Sequence, residues 1–106
     1  MNLAKELAGL DLNACLAAMK NTPRAVLIDV RDEDEFAAGH IPGAICIPLE
    51  RIEETADRLP ERDAPLLLYC RSGRRSGLAE QALRERGYTN AVNIGGIIDY
   101  EGEKAY

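Results

Sequence analysis

Three short apolar segments constrain the fold of this chain more than any other feature. They read AVLIDV (residues 25–30), APLLLYC (residues 64–70) and NAVNI (residues 90–94). Their apolar residues run together instead of alternating with polar ones, which is typical of parallel strands covered on both faces. Segments with helical periodicity lie between them. This alternation predicts an α/β fold of three layers, with a mainly parallel central sheet and helices on both faces.

Four helical segments and one further strand complete the predicted order of elements. Asp11 can cap the first helix, and the acids of residues 32–36 suit the positive end of the second. A short strand, ICI (residues 45–47), precedes a third helix from Glu50 to about Leu59. The fourth helix is expected to begin near residue 75 or 76 and to end before a glycine at position 87. One face of this helix is expected to enter the core, with Leu78, Ala79, Ala82 and Leu83.

Length and charge exclude several classes of protein. A chain of 106 residues supports one core, so residues 1–106 are expected to form a single domain. The net charge of −5 argues against nucleic acid as a partner, because phosphate binding needs a basic face. The longest apolar runs are far too short to span a membrane, and no signal segment opens the chain. We therefore expect a cytoplasmic protein that does not bind membranes.

The three cysteines are expected to be free thiols. Their number is odd, none lies in a C-x-x-C pair, and the chain has one histidine, so neither a disulfide framework nor a zinc site is predicted. Cys15 lies on the apolar stripe of a helix and Cys46 lies between two isoleucines. Both are expected to pack in the core. Cys70 has different neighbours.

Cys70 ends a predicted strand and is followed by RSGRRS. Arg71, Arg74 and Arg75 place three positive charges in an otherwise acidic chain, and the next helix would direct its free N–H groups toward the sulfur. Neighbouring cations and helix N-termini lower the pKa of a thiol. Gly73 gives the turn backbone freedom. The segment therefore predicts a thiolate held in an anion-binding loop.

The Cys70 loop and two further segments resemble a known family. YCRSGRRS (residues 69–76) resembles the active-site loop of single-domain rhodaneses, which are thiosulfate sulfurtransferases. LIDVRDEDEFAAGHIPGAICIPL (residues 27–49) resembles their first strand, acidic helix and GHIPGA turn, and VNIGGIIDY (residues 92–100) resembles their closing segment. The three motifs occur in order and cover nearly the whole chain.

The resemblance implies a mechanism without a cofactor or metal. Cys70 would attack the outer sulfur of thiosulfate, release sulfite and hold a persulfide, and cyanide or a thiol would then take the sulfur. Arginine side chains of the loop would receive the sulfonate end of the donor. The backbone N–H groups of the loop would hold the persulfide; they belong to Arg71, Ser72, Gly73, Arg74, Arg75 and Ser76.

Two other functions stay open at this point. Cysteine phosphatases and arsenate reductases on the same fold resemble C-x5-R, whereas here Arg75 gives C-x4-R. A loop shorter by one residue favours a single sulfur over a tetrahedral phosphate. The other alternative is a persulfide carrier or regulatory module that serves a partner protein in a sulfur relay. Carrier and enzyme need the same loop, so the sequence does not separate them.

Four residues outside the loop receive more specific predictions. Asp29 and Arg31 end a strand beside the proposed site and are predicted to support it, through an ion pair between Arg31 and Glu35 rather than through direct catalysis. His40 is expected to bond to backbone in the GHIPGA turn instead of forming a dyad with Cys70. Tyr100 stands where the family usually has tryptophan, and should keep its packing role while its hydroxyl finds a partner.

Overall fold

The computed structural model describes residues 2–106. Its five α-helices are α1 (Leu3–Leu7), α2 (Leu12–Met19), α3 (Glu33–Ala37), α4 (Thr55–Arg58) and α5 (Arg74–Glu85). Its four strands are β1 (Val26–Asp29), β2 (Ile45–Cys46), β3 (Leu66–Cys70) and β4 (Ala91–Gly96). Two 3-10 helices cover Leu49–Glu54 and Ile97–Asp99.

The strands form one sheet in the order β2-β1-β3-β4, and every neighbouring pair is parallel. Because the strands are parallel, their carboxyl ends lie at one edge, where ligands of open α/β sheets bind. The register places Asp29 beside Tyr69 and Cys70 beside Gly96 at that edge. The predicted α/β fold is confirmed, including the helices on both faces.

Side chains of the central strands alternate between two cores. Leu66, Leu68 and Cys70 of β3 face a core shared with α5, whereas Leu67 and Tyr69 face a second core shared with α1 and α2. All five residues of β3 are buried. A strand buried on both faces needs apolar residues at every position, which explains the uninterrupted segment in the sequence.

Capping contacts fix where the first helices begin. The Asp11 side chain accepts a hydrogen bond from the Ala14 N–H at 2.8 Å, as predicted. At α3, Asp32 and Glu35 form a reciprocal capping box, which accounts for the acidic run. Across residues 2–106, the helices are all too short or too polar to cross a membrane.

Three predictions about the elements need correction. The segment from Glu50 to Leu59 is a 3-10 helix over Leu49–Glu54 followed by the single turn of α4. Helix α5 begins one residue earlier than predicted, at Arg74. Leu78 was expected in the core but is 50% exposed. It lies two residues, about 200° of helical rotation, from the buried Ser76 and therefore faces outward.

Candidate active site

The chain turns sharply after Cys70, from the end of β3 into α5. Gly73 makes this turn possible with a φ of +97°, a conformation that residues with a Cβ rarely adopt. It occupies the N-cap position of α5, so the first free N–H groups of the helix lie directly beside the cysteine. Burial of β3 on both sides fixes the position from which the Cys70 side chain projects.

The sulfur of Cys70 accepts hydrogen bonds from the turn that follows it. The Gly73 N–H donates to Sγ at 3.0 Å, and the Ser76 hydroxyl lies 3.4 Å from Sγ. Burial raises the pKa of the Cys70 thiol. Hydrogen bonds from the Ser76 hydroxyl and from the backbone N–H groups of residues 76, 73 and 72 lower it by more, so the pKa lies below its ordinary value. The predicted anion-binding loop therefore has N–H groups that favour the thiolate.

Asn93 on β4 connects the parts of this loop. Its Oδ1 accepts from the Gly95 N–H at 3.0 Å, and its Nδ2 donates to the Gly73 carbonyl at 2.9 Å, which fixes the orientation of the amide. Oδ1 is thus an acceptor for the Ser76 hydroxyl, 2.7 Å away. That hydroxyl carries one proton, so Asn93 and Cys70 compete for it.

Gly96, at the end of β4, lies against the backbone of the Cys70 loop. A Cβ at Gly96 would lie 2.6 Å from the carbonyl carbon of Arg71, and a Cβ at Gly73 would lie 3.4 Å from the Cα of Gly95. The contact at Gly96 is closer than any side chain permits, whereas at Gly73 the positive φ, rather than the space, favours glycine. The absence of a side chain at Gly96 lets the Cys70 loop pass directly over the end of β4.

The arginines of the loop divide into paired and unpaired groups. Arg75 makes a bidentate ion pair with Glu35 of α3, with N–O distances of 2.7 and 3.0 Å. The hydrogen bond from Arg75 lowers the pKa of Glu35 to about 2 against the effect of burial, and Glu35 raises the pKa of Arg75 in turn. Arg71 and Arg74 are exposed and make no ion pair within residues 2–106.

Arg31 pairs with Asp29 and not with Glu35, which corrects the predicted ion pair. Its Nη2 lies 2.7 Å from Asp29 Oδ2 and also donates to the Gly39 carbonyl at 2.8 Å. The two residues are two positions apart at the end of a strand and project to the same side, which explains the choice of partner. Burial lowers the pKa of Arg31, but Asp29 raises it by more. The pair holds the GHIPGA turn, in agreement with a supporting role.

A cleft of about 480 Å³ opens beside the Cys70 loop. Arg71 and the 3-10 helix after β4 contribute one part of its lining, and the start of the GHIPGA turn contributes another. The chain's last residues also reach it, through Lys104. The cleft lies next to Arg71, the residue that follows Cys70, at the edge of the sheet where ligands of open α/β sheets bind.

The remaining cysteines and the histidine lie outside the loop. Cys15 is buried in the α2 core as predicted, and burial raises its pKa. Cys46 is only half buried, which corrects its expected core position; its Sγ lies 3.6 Å from the Arg31 carbonyl, and burial raises its pKa too. His40 Nδ1 bonds to the Phe36 carbonyl at 2.9 Å, which confirms its backbone role.

Two residues of the site, Asn93 and Lys104, were not predicted from the sequence, and Glu35 was predicted with the wrong partner. Glu35 was expected to pair with Arg31, and nothing in its local pattern indicates a partner 40 residues away. Asn93 carried a signal, because a polar side chain inside an otherwise apolar strand needs a hydrogen-bond partner. Lys104 carried none, since its position depends on how the last residues fold back.

Comparisons with known proteins agree with the geometry. The family model described as Rhodanese-like domain matches residues 12–103. Thiosulfate sulfurtransferase PspE of Escherichia coli (strain K12) is 41% identical over 73 residues, covering 68% of this chain and 70% of PspE. Putative sulfur carrier protein YrkF of Bacillus subtilis (strain 168) is 36% identical over 78 residues, covering 73% of this chain.

A solved structure shows the same arrangement of elements. A structure described as a rhodanese with anions from E. coli superposes with a TM-score of 0.71 and 38% identity, covering 76% of this chain and 96% of that one. The relatives differ in length, and this chain spans only 42% of YrkF. The functions of the parts of longer relatives that this chain does not match are therefore not assigned to it.

Proposed function

Because this chain belongs to the rhodanese family, we propose that it is a sulfurtransferase that moves a sulfane sulfur from thiosulfate, or a related anionic donor, to a thiophilic acceptor. The acceptor is cyanide or a thiol. Cys70 carries the sulfur between them as a persulfide. The observation that supports this most directly is the set of N–H and O–H donors around Cys70 Sγ, which lowers the pKa of the thiol and so favours its anion.

The first half of the reaction loads the enzyme. The Cys70 thiolate attacks the outer sulfur of thiosulfate, a new S–S bond forms, and the S–S bond of the donor breaks. Sulfite leaves with the electron pair of that bond. The terminal sulfur of the persulfide is then the anionic group. The N–H groups of residues 72, 73 and 76, which already face Sγ, would hold it, with Gly73 nearest to Sγ.

The second half returns the enzyme to its starting state. Cyanide or a thiolate attacks the terminal sulfur, and the Cys70 thiolate leaves with the electron pair of the S–S bond. Thiocyanate or an acceptor persulfide is released, and no net oxidation or reduction of the protein occurs. The same donors that lower the pKa of Cys70 make it a good leaving group in this step.

The side chains around the loop have different proposed roles. Arg71 and Arg74 are free to receive the sulfonate of thiosulfate, whereas Arg75 offers less because both of its terminal nitrogens are held by Glu35. Arg31 supports the site by donating to the Gly39 carbonyl, and Asp29 holds Arg31 in place. Ser72 and Ser76 complete the loop, Ser72 through its N–H and Ser76 through its N–H and hydroxyl.

A second candidate function is a persulfide carrier for a partner protein. Its support is the similarity to YrkF, whose name describes a putative sulfur carrier. A carrier would be loaded by the same chemistry but would turn over slowly with small acceptors. A phosphatase is less well supported, because Arg75 stands one position early for C-x5-R and is committed to Glu35.

Intact mass after incubation with thiosulfate tests the proposal. The protein should gain one sulfur atom, and cyanide should remove it with formation of thiocyanate. Cys70→Ala should gain nothing, while Cys46→Ala, a matched loss of a less buried thiol, should load like the wild type. A mass gain that persists in Cys70→Ala would refute the assigned nucleophile. Loading without multiple turnovers on thiosulfate and cyanide would favour the carrier.

A further inference from the structure

The cleft beside the Cys70 loop is larger than thiosulfate requires. Its volume is about 480 Å³, which falls within the range of pockets that hold organic ligands. Part of its lining is apolar: Ile97 is buried beneath it, and Ile98 is 64% exposed at its edge. The Ile98 N–H donates to the Arg71 carbonyl at 3.2 Å, so this apolar part is attached directly to the Cys70 loop.

The cleft has more positive than negative charges. Arg31 is neutralised by Asp29, and Glu35 is neutralised by Arg75. Arg71 and Lys104 also line the cleft, and neither has a carboxylate within ion-pair distance among residues 2–106. The cleft therefore presents two unneutralised positive charges to a ligand, although the chain as a whole carries −5.

Lys104 is held in this position by specific contacts. The segment around it forms an antiparallel bridge, in which the Ala105 N–H donates to the His40 carbonyl at 2.8 Å and the His40 N–H donates back at 3.0 Å. The Lys104 stem lies against Gly39, where a Cβ would be 3.2 Å from its Cδ. The Tyr100 hydroxyl donates to the Glu103 carbonyl at 2.9 Å. These contacts direct the segment along the rim of the cleft.

We propose that this cleft binds the sulfur acceptor, and that the acceptor is a small organic thiol bearing a carboxylate, which Lys104 recognises. The inference rests on the proposed function and specifies its second half. The apolar surface at Ile97 and Ile98 receives the carbon skeleton, and Lys104 with Arg71 receives the carboxylate. The acceptor thiolate then attacks the terminal sulfur of the Cys70 persulfide and leaves as an organic persulfide, and Cys70 returns to thiolate. Thiosulfate is too small to need Lys104.

Two thiols with the same two-methylene spacer but different charge test the proposal. The Cys70 persulfide is formed with inorganic polysulfide, so that the acceptor step is measured whichever donor the protein uses. Loss of the sulfur is then followed by mass with 3-mercaptopropionate and with 2-mercaptoethanol, for the wild type and for Lys104→Gln. Comparing the two proteins with each thiol cancels the intrinsic reactivity of the thiols.

Lys104→Gln should slow transfer to 3-mercaptopropionate about three- to five-fold, as expected for one exposed charge pair, and leave 2-mercaptoethanol nearly unchanged. The loss should shrink at high salt. Lys5→Gln, an identical change of charge on α1 outside the cleft, should affect neither thiol. Equal rates for Lys104→Gln and wild type, or an equal loss with both thiols, would overturn the inference while leaving the proposed function intact. Failure of Cys70 to load at all would overturn both.

Discussion

At the scale of single residues, the reactivity of Cys70 depends on where one proton resides. The Ser76 hydroxyl has three acceptors within reach: Asn93 Oδ1 at 2.7 Å, and Cys70 Sγ and the Gly95 carbonyl, each at 3.4 Å. When the hydroxyl donates to Asn93, it makes no hydrogen bond to the thiolate. When the thiolate forms, a hydroxyl rotated toward the sulfur stabilises the negative charge. We therefore propose that Asn93 positions the Ser76 hydroxyl for Cys70, the proposed nucleophile.

Asn93→Asp should raise the pKa of Cys70 by about one unit. The carboxylate adds a negative charge near the sulfur and holds the Ser76 proton more strongly, and both effects oppose the thiolate. The measurement is the pH dependence of alkylation at Cys70, followed by mass of the peptide that contains it. Asn21→Asp makes the same change at an exposed position before β1 and should leave the midpoint of the alkylation curve, and hence the pKa of Cys70, unchanged.

A second background separates two effects on the pKa of Cys70: the hydrogen bond of the Ser76 hydroxyl and the negative charge of the new carboxylate. In a Ser76→Ala background, Asn93→Asp retains only its charge effect, so the upward shift of the midpoint should be smaller. An equal shift in both backgrounds would show that the Ser76 proton plays no part. An unchanged midpoint in Asn93→Asp alone would remove Asn93 from the positioning role.

Residue by residue, the sequence predicted contacts that are local and missed those that cross the fold. The neighbours of Cys70 in the loop, the Asp11 cap and the backbone bond of His40 all lie within a few positions of their partners. The partner of Glu35 is 40 positions away and that of Ser76 is 17 positions away. Arg31 had two acidic candidates nearby, and only the direction of its side chain at the strand end decides for Asp29.

At the scale of elements, the Glu35–Arg75 pair joins α3 to the helix that supports the Cys70 loop. Both side chains are about one-third exposed, so solvent screens the pair and its contribution to stability is modest. Its bidentate geometry nevertheless fixes the relative positions of two helix starts at the edge of the sheet. The acidic sequence of α3 thus serves both its own capping and a contact with α5.

Glu35→Gln should lower the free energy of unfolding by about 1 kcal/mol at pH 7. The folded pKa of Glu35 is about 2, below its ordinary value of 4.5, so the carboxylate stabilises the fold above pH 4.5 and this stabilisation is lost as the pH falls toward 2. The difference between wild type and variant should therefore shrink between pH 5 and pH 3. Urea denaturation at each pH measures it.

Asp34→Asn provides the control for the charge of the α3 first turn. It removes a carboxylate that has the same relation to the helix dipole but makes no ion pair within residues 2–106. Its effect should be only a few tenths of a kcal/mol. If Asp34→Asn and Glu35→Gln gave the same loss with the same pH dependence, the helix dipole rather than Arg75 would explain the result.

Elements with strong periodicity were predicted well, and the errors have a common cause. The buried strands were recognised because both faces need apolar residues. Leu78 was wrongly predicted to be buried. The buried face of α5 consists of Ser76, Ala79 and Leu83, and it is narrower than the apolar pattern of the sequence suggested. The helix after Leu49 was expected to be regular, but Arg51 adopts a non-helical backbone with φ −122° and ψ 27°.

At the scale of the whole molecule, a buried ion pair holds the two ends of the site together. Asp29 is fully buried and the Arg31 side chain is 8% exposed. Asp29 also accepts from the Arg31 N–H at 2.9 Å, and Arg31 reaches across to the Gly39 carbonyl. The pair thereby fixes β1 to the GHIPGA turn, which Tyr69 of β3 also anchors by accepting a hydrogen bond from the Ile41 N–H at 3.0 Å.

Asp29→Asn should destabilise the fold by about 3 kcal/mol, because it leaves the Arg31 charge buried without a partner. The double variant Asp29→Leu/Arg31→Met removes both charges and should lose less than Asp29→Asn alone. Chemical denaturation of the three proteins measures the difference. A double variant as unstable as the single one would indicate that the hydrogen bonds to backbone, rather than the charges, carry the stabilisation.

The burial of β3 has a consequence for how the protein moves. Amide hydrogens of a strand paired on both sides and covered on both faces exchange with solvent only when a large part of the fold opens. The loop after Cys70 is exposed at Arg71 and Ser72, so the sulfur lies at the border between the most and the least protected parts of the chain. In the proposed cycle, sulfur would therefore arrive at Cys70 and depart from it without any opening of the sheet.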